Sequence, residues 1–246
     1  MSARGLLPLR GDQGARKGMQ FGIDWFAFTV KDQPMQAVKR RLVTVFGDEW
    51  RSWELIRRGE RRQREIGPFG TLIEVDWVER WVHVQVKGQG CRAVGTPQVL
   101  RLFDYLVTTL GEACLVKRVD LAWDDFEKRL PPPLLRERFW DALRKAKRPE
   151  VMCRAKRGHF REDDAAEGGC SYTIGERVSK RMLRVYDKAA QSRGKVDAIR
   201  MELVCSEEVA HRACVVMAGS AGQFSGAALG FLVGFLDFRG GRGRRA

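Results

Sequence analysis

The sequence predicts an α+β fold: a central, mainly antiparallel sheet with helices packed on one face. Three observations carry this reading. Short runs rich in β-branched and aromatic residues recur from Ile23 to Val204. Two of them, Thr71 to Trp77 and Trp81 to Lys87, are separated by only Val78-Glu79-Arg80, a connection that makes a hairpin. Helical patterns fall between the strands irregularly, without the strict alternation that builds a parallel sheet. A chain of 246 residues with 44% apolar residues can bury a sizeable core.

Residues 1–20 read as a flexible basic tail and residues 239–246 as a Gly/Arg tail, because neither offers anything to bury. The span 21–238 is left as one domain. Ile23 to Val30 is its first strand, followed by a helix from Pro34 to about Phe46. Gly67 to Gly70 is a turn into the hairpin, whose second strand ends at Gly88-Gln89-Gly90. Thr96 is the expected N-cap of a helix to about Leu110, with Val99, Leu100, Phe103, Leu106 and Val107 on one face and Gly111 as its stop.

Leu115 to Trp123 is the next strand. Pro131 to Pro133 open a helix through about Lys145, Pro149 closes that region, and Cys153 to Gly169 is expected as a loop or irregular hairpin. Strands at Ser171 to Gly175 and Arg181 to Tyr186 follow, then a short helix at Asp187 to Gln191. The last strand, Ala198 to Val204, leads into a helix through Met217, and Gln223 to about Leu236 is an apolar terminal helix.

A net charge of +14 and a pI near 10 favour a polyanionic partner, with nucleic acid ahead of an anionic membrane surface. Arginines cluster at Arg51 to Arg64 and basic residues at Arg144 to Arg161, beside Trp50, Trp53, Phe69 and Phe160; cations interleaved with rings are what single-strand binding uses. The six cysteines lack any C-x-x-C pair, so they are expected as reduced, mostly buried thiols. With no signal peptide and no apolar run of spanning length, the expected location is cytoplasmic, without a membrane partner.

Three strands carry polar residues opposite an apolar face: Arg118 to Asp124, Arg184 to Lys188 and Ile199 to Leu203. Residues two apart in a strand share a face, so Asp120 lines up with Asp124, Tyr186 with Arg184 and Lys188, and Glu202 with Arg200. A carboxylate in mid-strand among apolar neighbours is costly unless paired or bound to a cation, which makes Asp120, Glu202 and Asp124 candidate ligands for Mg²⁺ or Mn²⁺. Tyr186, flanked by Arg184 and Lys188, is a candidate nucleophile whose phenolate those cations would favour. His83 shares a face with Gln85 and Lys87 and is a further candidate ligand beside its plainer packing role. Each segment taken singly also fits a solvated strand face; their coincidence points to phosphodiester chemistry.

The ordered set Gly22-Ile23-Asp24-Trp25, Gly88-Gln89-Gly90-Cys91-Arg92, Arg118 to Asp125, Tyr172-Thr173-Ile174-Gly175, Arg184-Val185-Tyr186-Asp187-Lys188 and Ile199-Arg200-Met201-Glu202-Leu203 resembles the replication initiation factor family of rolling-circle initiators. The resemblance covers about 20–238 and implies a fold related to the HUH-type nicking endonucleases, although no His-x-His pair is present. It implies a DNA nicking and joining enzyme: Tyr186 as nucleophile holding a 5′ phosphate, Lys188 or Arg184 assisting, and Asp120 and Glu202 as metal carboxylates, with Asp124 and His83 as further metal candidates. The implied partners are origin DNA, single-stranded or cruciform, a host helicase and a second copy of the chain. Two rival readings share the scaffold: a non-catalytic single-strand DNA-binding protein, and a relaxase-like or regulatory protein of a mobile element.

Overall fold

Residues two apart share a face along β1 (Met19–Lys31), where Phe26, Phe28 and Val30 enter the core while Trp25, Ala27 and Thr29 take the other face. Around it the computed structural model describes residues 18–127, 171–174, 180–192, 194–220 and 223–235. The expected helix from Pro131, the loop at Cys153 to Gly169 and the C-terminal tail lie outside these residues, as does all but the last part of the N-terminal tail. That tail ends earlier than expected, because Met19 and Gln20 already pair with Asp125 and Asp124.

After α1 (Met35–Phe46) come β2 (Glu54–Arg58), β3 (Arg62–Ile66), β4 (Leu72–Asp76), β5 (Trp81–Val86), α2 (Gly88–Val94) and α3 (Thr96–Tyr105). The chain continues through β6 (Cys114–Asp125), β7 (Ser171–Ile174), β8 (Arg181–Asp187), α4 (Lys188–Ser192), β9 (Ile199–Ser206), α5 (Glu207–Ala218) and α6 (Phe224–Phe235). The strands form one nine-stranded sheet in the order β2-β3-β4-β5-β1-β6-β9-β8-β7, and every pairing is antiparallel. The predicted fold class therefore describes the molecule.

One face of the sheet is apolar and carries the helices. Val82, Val84 and Val86 of β5, Val119 and Leu121 of β6 and Leu203 of β9 are buried there with Leu102 and Phe103 of α3 and Ala213, Cys214 and Met217 of α5. The rings of Phe26 and Phe103 meet edge to face at 5.5 Å. Cys91, Cys114, Cys205 and Cys214 are free thiols in this core, and burial pushes the Cys205 thiol up to about 12. Among the described residues, no helix is long and apolar enough to cross a membrane.

Three departures from the sequence reading have local causes. The hairpin β2–β3 occupies the arginine-rich segment Arg51 to Arg64, in which the sequence pattern predicts no strand; β2 is the sheet edge with every residue exposed, so its side chains need not be apolar. Against β4 the hairpin is aligned by cross-strand pairs, Arg62 opposite Asp76 and Arg64 opposite Glu74. The strand end at Gly88 is instead the start of α2, where Gly90 has no room for a side chain: a Cβ there would stand 2.7 Å from Cγ1 of Val86. Thr96 is the first residue of α3, and the N-cap is Gly95 at φ 80°, conformational ground that favours glycine.

Candidate active site

On the face away from the helices, the registers of β6, β9 and β8 set polar residues side by side. Asp124, Arg200 and Tyr186 lie in one row, and Ala122, Glu202 and Arg184 lie in the next. Asp120 follows on β6 opposite Val204, with Trp25 of β1 on its other side. The three segments thus share a surface, as their alternation predicts. Ala122 is the small member of its row, so the carboxylate of Glu202 reaches Asp120 without a bulky neighbour on β6.

Tyr186 donates its hydroxyl proton to Oε2 of Glu202 at 3.0 Å, and both side chains are buried. The guanidinium of Arg184 stands 3.8 Å from the same oxygen and 5.3 Å from the centre of the Tyr186 ring. Nζ of Lys188 lies 3.5 Å from the Tyr186 hydroxyl and donates to Oε1 of Gln191 at 2.5 Å. Asp187 starts α4 by accepting a bond from the amide of Ala189 at 2.8 Å, and this turn folds Lys188 back over the ring.

The phenolate expectation for Tyr186 is corrected here. Burial, and then the Glu202 carboxylate, push the phenol well above its ordinary range, and the opposing pull of Arg200 does not offset them. The resting hydroxyl is therefore neutral, with a carboxylate already placed to take its proton. Burial, and then Arg200, pull the Lys188 ammonium down to about 8.

Arg118 holds Asp120 through two parallel bonds of 2.8 and 2.6 Å. Burial raises the Asp120 carboxyl well above its ordinary value; Arg118 opposes this, and the Glu202 carboxylate within hydrogen-bonding reach adds to it. Two buried carboxylates in contact, one of them reluctant to ionise, are a donor pair that a hard cation relieves. Mg²⁺ is commonly held by one or two carboxylates plus phosphate oxygens and waters, so Asp120 and Glu202 fit such an ion.

The other two proposed ligands are not brought to this pair. Asp124 is taken by Arg200, which donates to both of its oxygens at 2.6 Å. His83 lies on β5 opposite Thr29, four residues along β1 from Trp25, with its ring nitrogens on Thr29 at 2.9 Å and Gln85 at 3.1 Å. Among the described residues, no three His, Cys, Asp or Glu side chains are grouped to hold a metal.

Asp24 is the residue that sequence reasoning passed over. It sits at an irregularity in the β1–β6 register, where Oδ1 lies 2.5 Å from Arg200 and 3.3 Å from Arg92 of α2. Burial works to raise its carboxyl, but Arg200 and then Lys188 outweigh it and hold the group below its ordinary value. The signal was present: a carboxylate inside an aromatic strand, the same pattern that singled out Asp120.

Comparison with known proteins follows the same lines. The chain is similar to the solved structure of a rolling circle replication initiator protein from Geobacillus stearothermophilus, with a TM-score of 0.70 and 21% identity over 92% of this chain and 89% of that one. That likeness shows a shared fold. No curated protein matches the chain. Residues 115–234, which hold Asp120, Tyr186 and Glu202, match the family model for replication initiation factors. Over that stretch, just under half of the chain, the sequence is similar to replication initiation factors.

Proposed function

We propose that this protein initiates rolling-circle replication by nicking and rejoining DNA through a phosphotyrosine formed at Tyr186. The observation that carries the reading is the buried Tyr186 hydroxyl resting 3.0 Å from Glu202, with Lys188 and Arg184 beside the pair. A neutral phenol beside a carboxylate is a nucleophile paired with its base.

In the forward step Oη of Tyr186 bonds to phosphorus as the bond from phosphorus to the 3′ oxygen breaks. The phenolic proton passes to Glu202, and the departing 3′ oxygen takes a proton from solvent. Arg184 and Lys188 supply positive charge to the phosphoryl oxygens, and Arg118 keeps Asp120 oriented. Rejoining runs the same steps backwards, because the tyrosyl ester preserves the energy of the broken linkage. A divalent cation, Mg²⁺ or Mn²⁺, would be held by Asp120 and Glu202, and when bound it supplies Lewis-acid stabilisation of charge on the phosphate.

The substrate on this reading is origin DNA, presented single-stranded or as a cruciform. The free 3′ hydroxyl primes synthesis, and a host helicase that unwinds the parental strand is the partner such a nick requires. The test is a nicking assay on supercoiled origin DNA with Mg²⁺. Nicks accompanied by a protein–DNA adduct, both lost in Tyr186→Phe, support the reading; an adduct that persists in that variant removes Tyr186 as nucleophile.

A further inference from the structure

The open face of the sheet does not end at the catalytic cluster. Trp25 lies opposite Asp120, with the guanidinium of Arg118 4.3 Å and the ammonium of Lys87 5.4 Å from its ring centre. Among the described residues its indole N–H has no hydrogen-bond partner. Along β5 the same face carries Gln85, His83 and Trp81, which pair with Ala27, Thr29 and Lys31 of β1. Trp81 is half-buried, with the Arg62 guanidinium 5.5 Å from its ring centre and the His83 ring edge-on at 6.5 Å. Beyond it Arg62 and Arg64 on β3 and Arg57 on β2 are exposed.

Two stations of a tryptophan under cations therefore stand on one surface. Six residues of β1 separate Trp25 from Lys31, the partner of Trp81, a span of roughly 20 Å at about 3.3 Å per residue. Between them Thr29, His83 and Gln85 form a hydrogen-bonded row, and burial lowers the basicity of His83. Aromatic faces receive unpaired bases whatever their sequence, and arginines receive phosphates.

Resting on the initiator reading above, we infer that this face is a track for single-stranded DNA leading away from the nick. Trp25 stacks a base beside the catalytic pair, Trp81 stacks one a few nucleotides away, and Arg62 with Arg64 grips the backbone there. Base-paired DNA offers no free base face to either ring, which is why the track selects a single strand. The carboxylates of Asp76 and Glu74 hold Arg62 and Arg64 upright through one edge of each guanidinium.

The test measures fluorescence anisotropy of a labelled 20-nucleotide mixed-sequence single strand binding to the full chain in a Tyr186→Phe background, where no adduct forms. Trp81→Ala is expected to weaken binding on the order of tenfold, the range found for losing one base–aromatic stack, and Trp81→Phe to restore most of it. Arg62→Ala, which leaves Asp76 its bond from Arg61, should reduce the slope of log affinity against log salt by about 0.7. Unchanged binding in Trp81→Ala overturns the track, as does equal weakening in both Trp81 variants when their melting temperatures match the parent. Equal loss on duplex DNA also overturns it, since the surface would then be reading a double helix. Adduct formation by the unmodified chain, measured in parallel, separates the two claims: an adduct with normal Trp81→Ala binding sinks only the track, whereas the lack of any adduct sinks the initiator reading on which it rests.

Discussion

Replacing Asp124 with alanine separates two roles that the sequence left together. In the structure this carboxylate is the bidentate partner of Arg200, a guanidinium only 5% exposed, and Asp24 is the second anion on the same group. Removing one partner of a buried ion pair typically costs about 3–5 kcal/mol, because the remaining charge stays buried without compensation. Asp24 retains part of the compensation, so the expected loss is about 2–3 kcal/mol. With a urea dependence of roughly 2–3 kcal/mol per molar, the unfolding midpoint should fall by about 1 M. Asp24→Ala should also destabilise, by less, since Asp24 makes a single short contact with Arg200 and keeps more solvent. Divalent cation affinity, read by calorimetry, should be unaffected by Asp124→Ala if Asp120 and Glu202 form the pair that holds the ion. An unchanged urea midpoint together with a tenfold loss of Mg²⁺ or Mn²⁺ affinity would refute the argument and restore Asp124 as a ligand.

Other consequences follow from the same cluster. Glu202→Gln keeps a hydrogen-bond partner for Tyr186 but cannot take its proton, so single-turnover nicking should fall by roughly 10²–10⁴-fold; a rate within tenfold of the parent would exclude Glu202 as the base. Because the Lys188 ammonium is pulled down to about 8, nicking should decline above that pH as the cation is lost, and Lys188→Arg should flatten this limb. The sign for stability is opposite: the unfolded lysine still binds its proton up to about 10.4, so Lys188 makes the fold more stable as pH rises from about 8 towards that value. Gly90→Ala places a methyl 2.7 Å from Val86 in the core and should cost about 1–3 kcal/mol, read as a lowered melting temperature with the β5–α2 corner as the cause.

The fold was legible wherever burial follows a simple period. β5 buries alternate residues, β6 and β9 put their apolar residues on the core face with polar ones between, and the helices carry apolar faces that the spacing of Val99, Phe103 and Leu106 already announces. Hairpin β2–β3 was not legible, because an edge strand exposes both faces and β3 is aligned on β4 by Arg–carboxylate pairs that no apolar pattern records. For the site, alternation placed Asp120, Tyr186 and Glu202 on faces that proved to be one face. It could not say which carboxylate each arginine would claim. Asp124 and Glu202 look alike in sequence; one is held by Arg200 two strand neighbours from the phenol, and the other touches the phenol itself. Nor could it give the state of Tyr186, since flanking cations favour phenolate while burial, a tertiary property, favours the neutral hydroxyl.

The most direct test of the account is to find the atom that carries the DNA. Incubating the chain with Mg²⁺ or Mn²⁺ and a random pool of single-stranded oligonucleotides, then isolating covalent adducts, lets the attached DNA report the sequence cleaved. Mass spectrometry of the digested adduct should place a 5′-phosphonucleotide on the peptide containing Tyr186, and Tyr186→Phe should yield none. An adduct on Tyr105 or Tyr172, or cleavage that leaves no adduct, would contradict it.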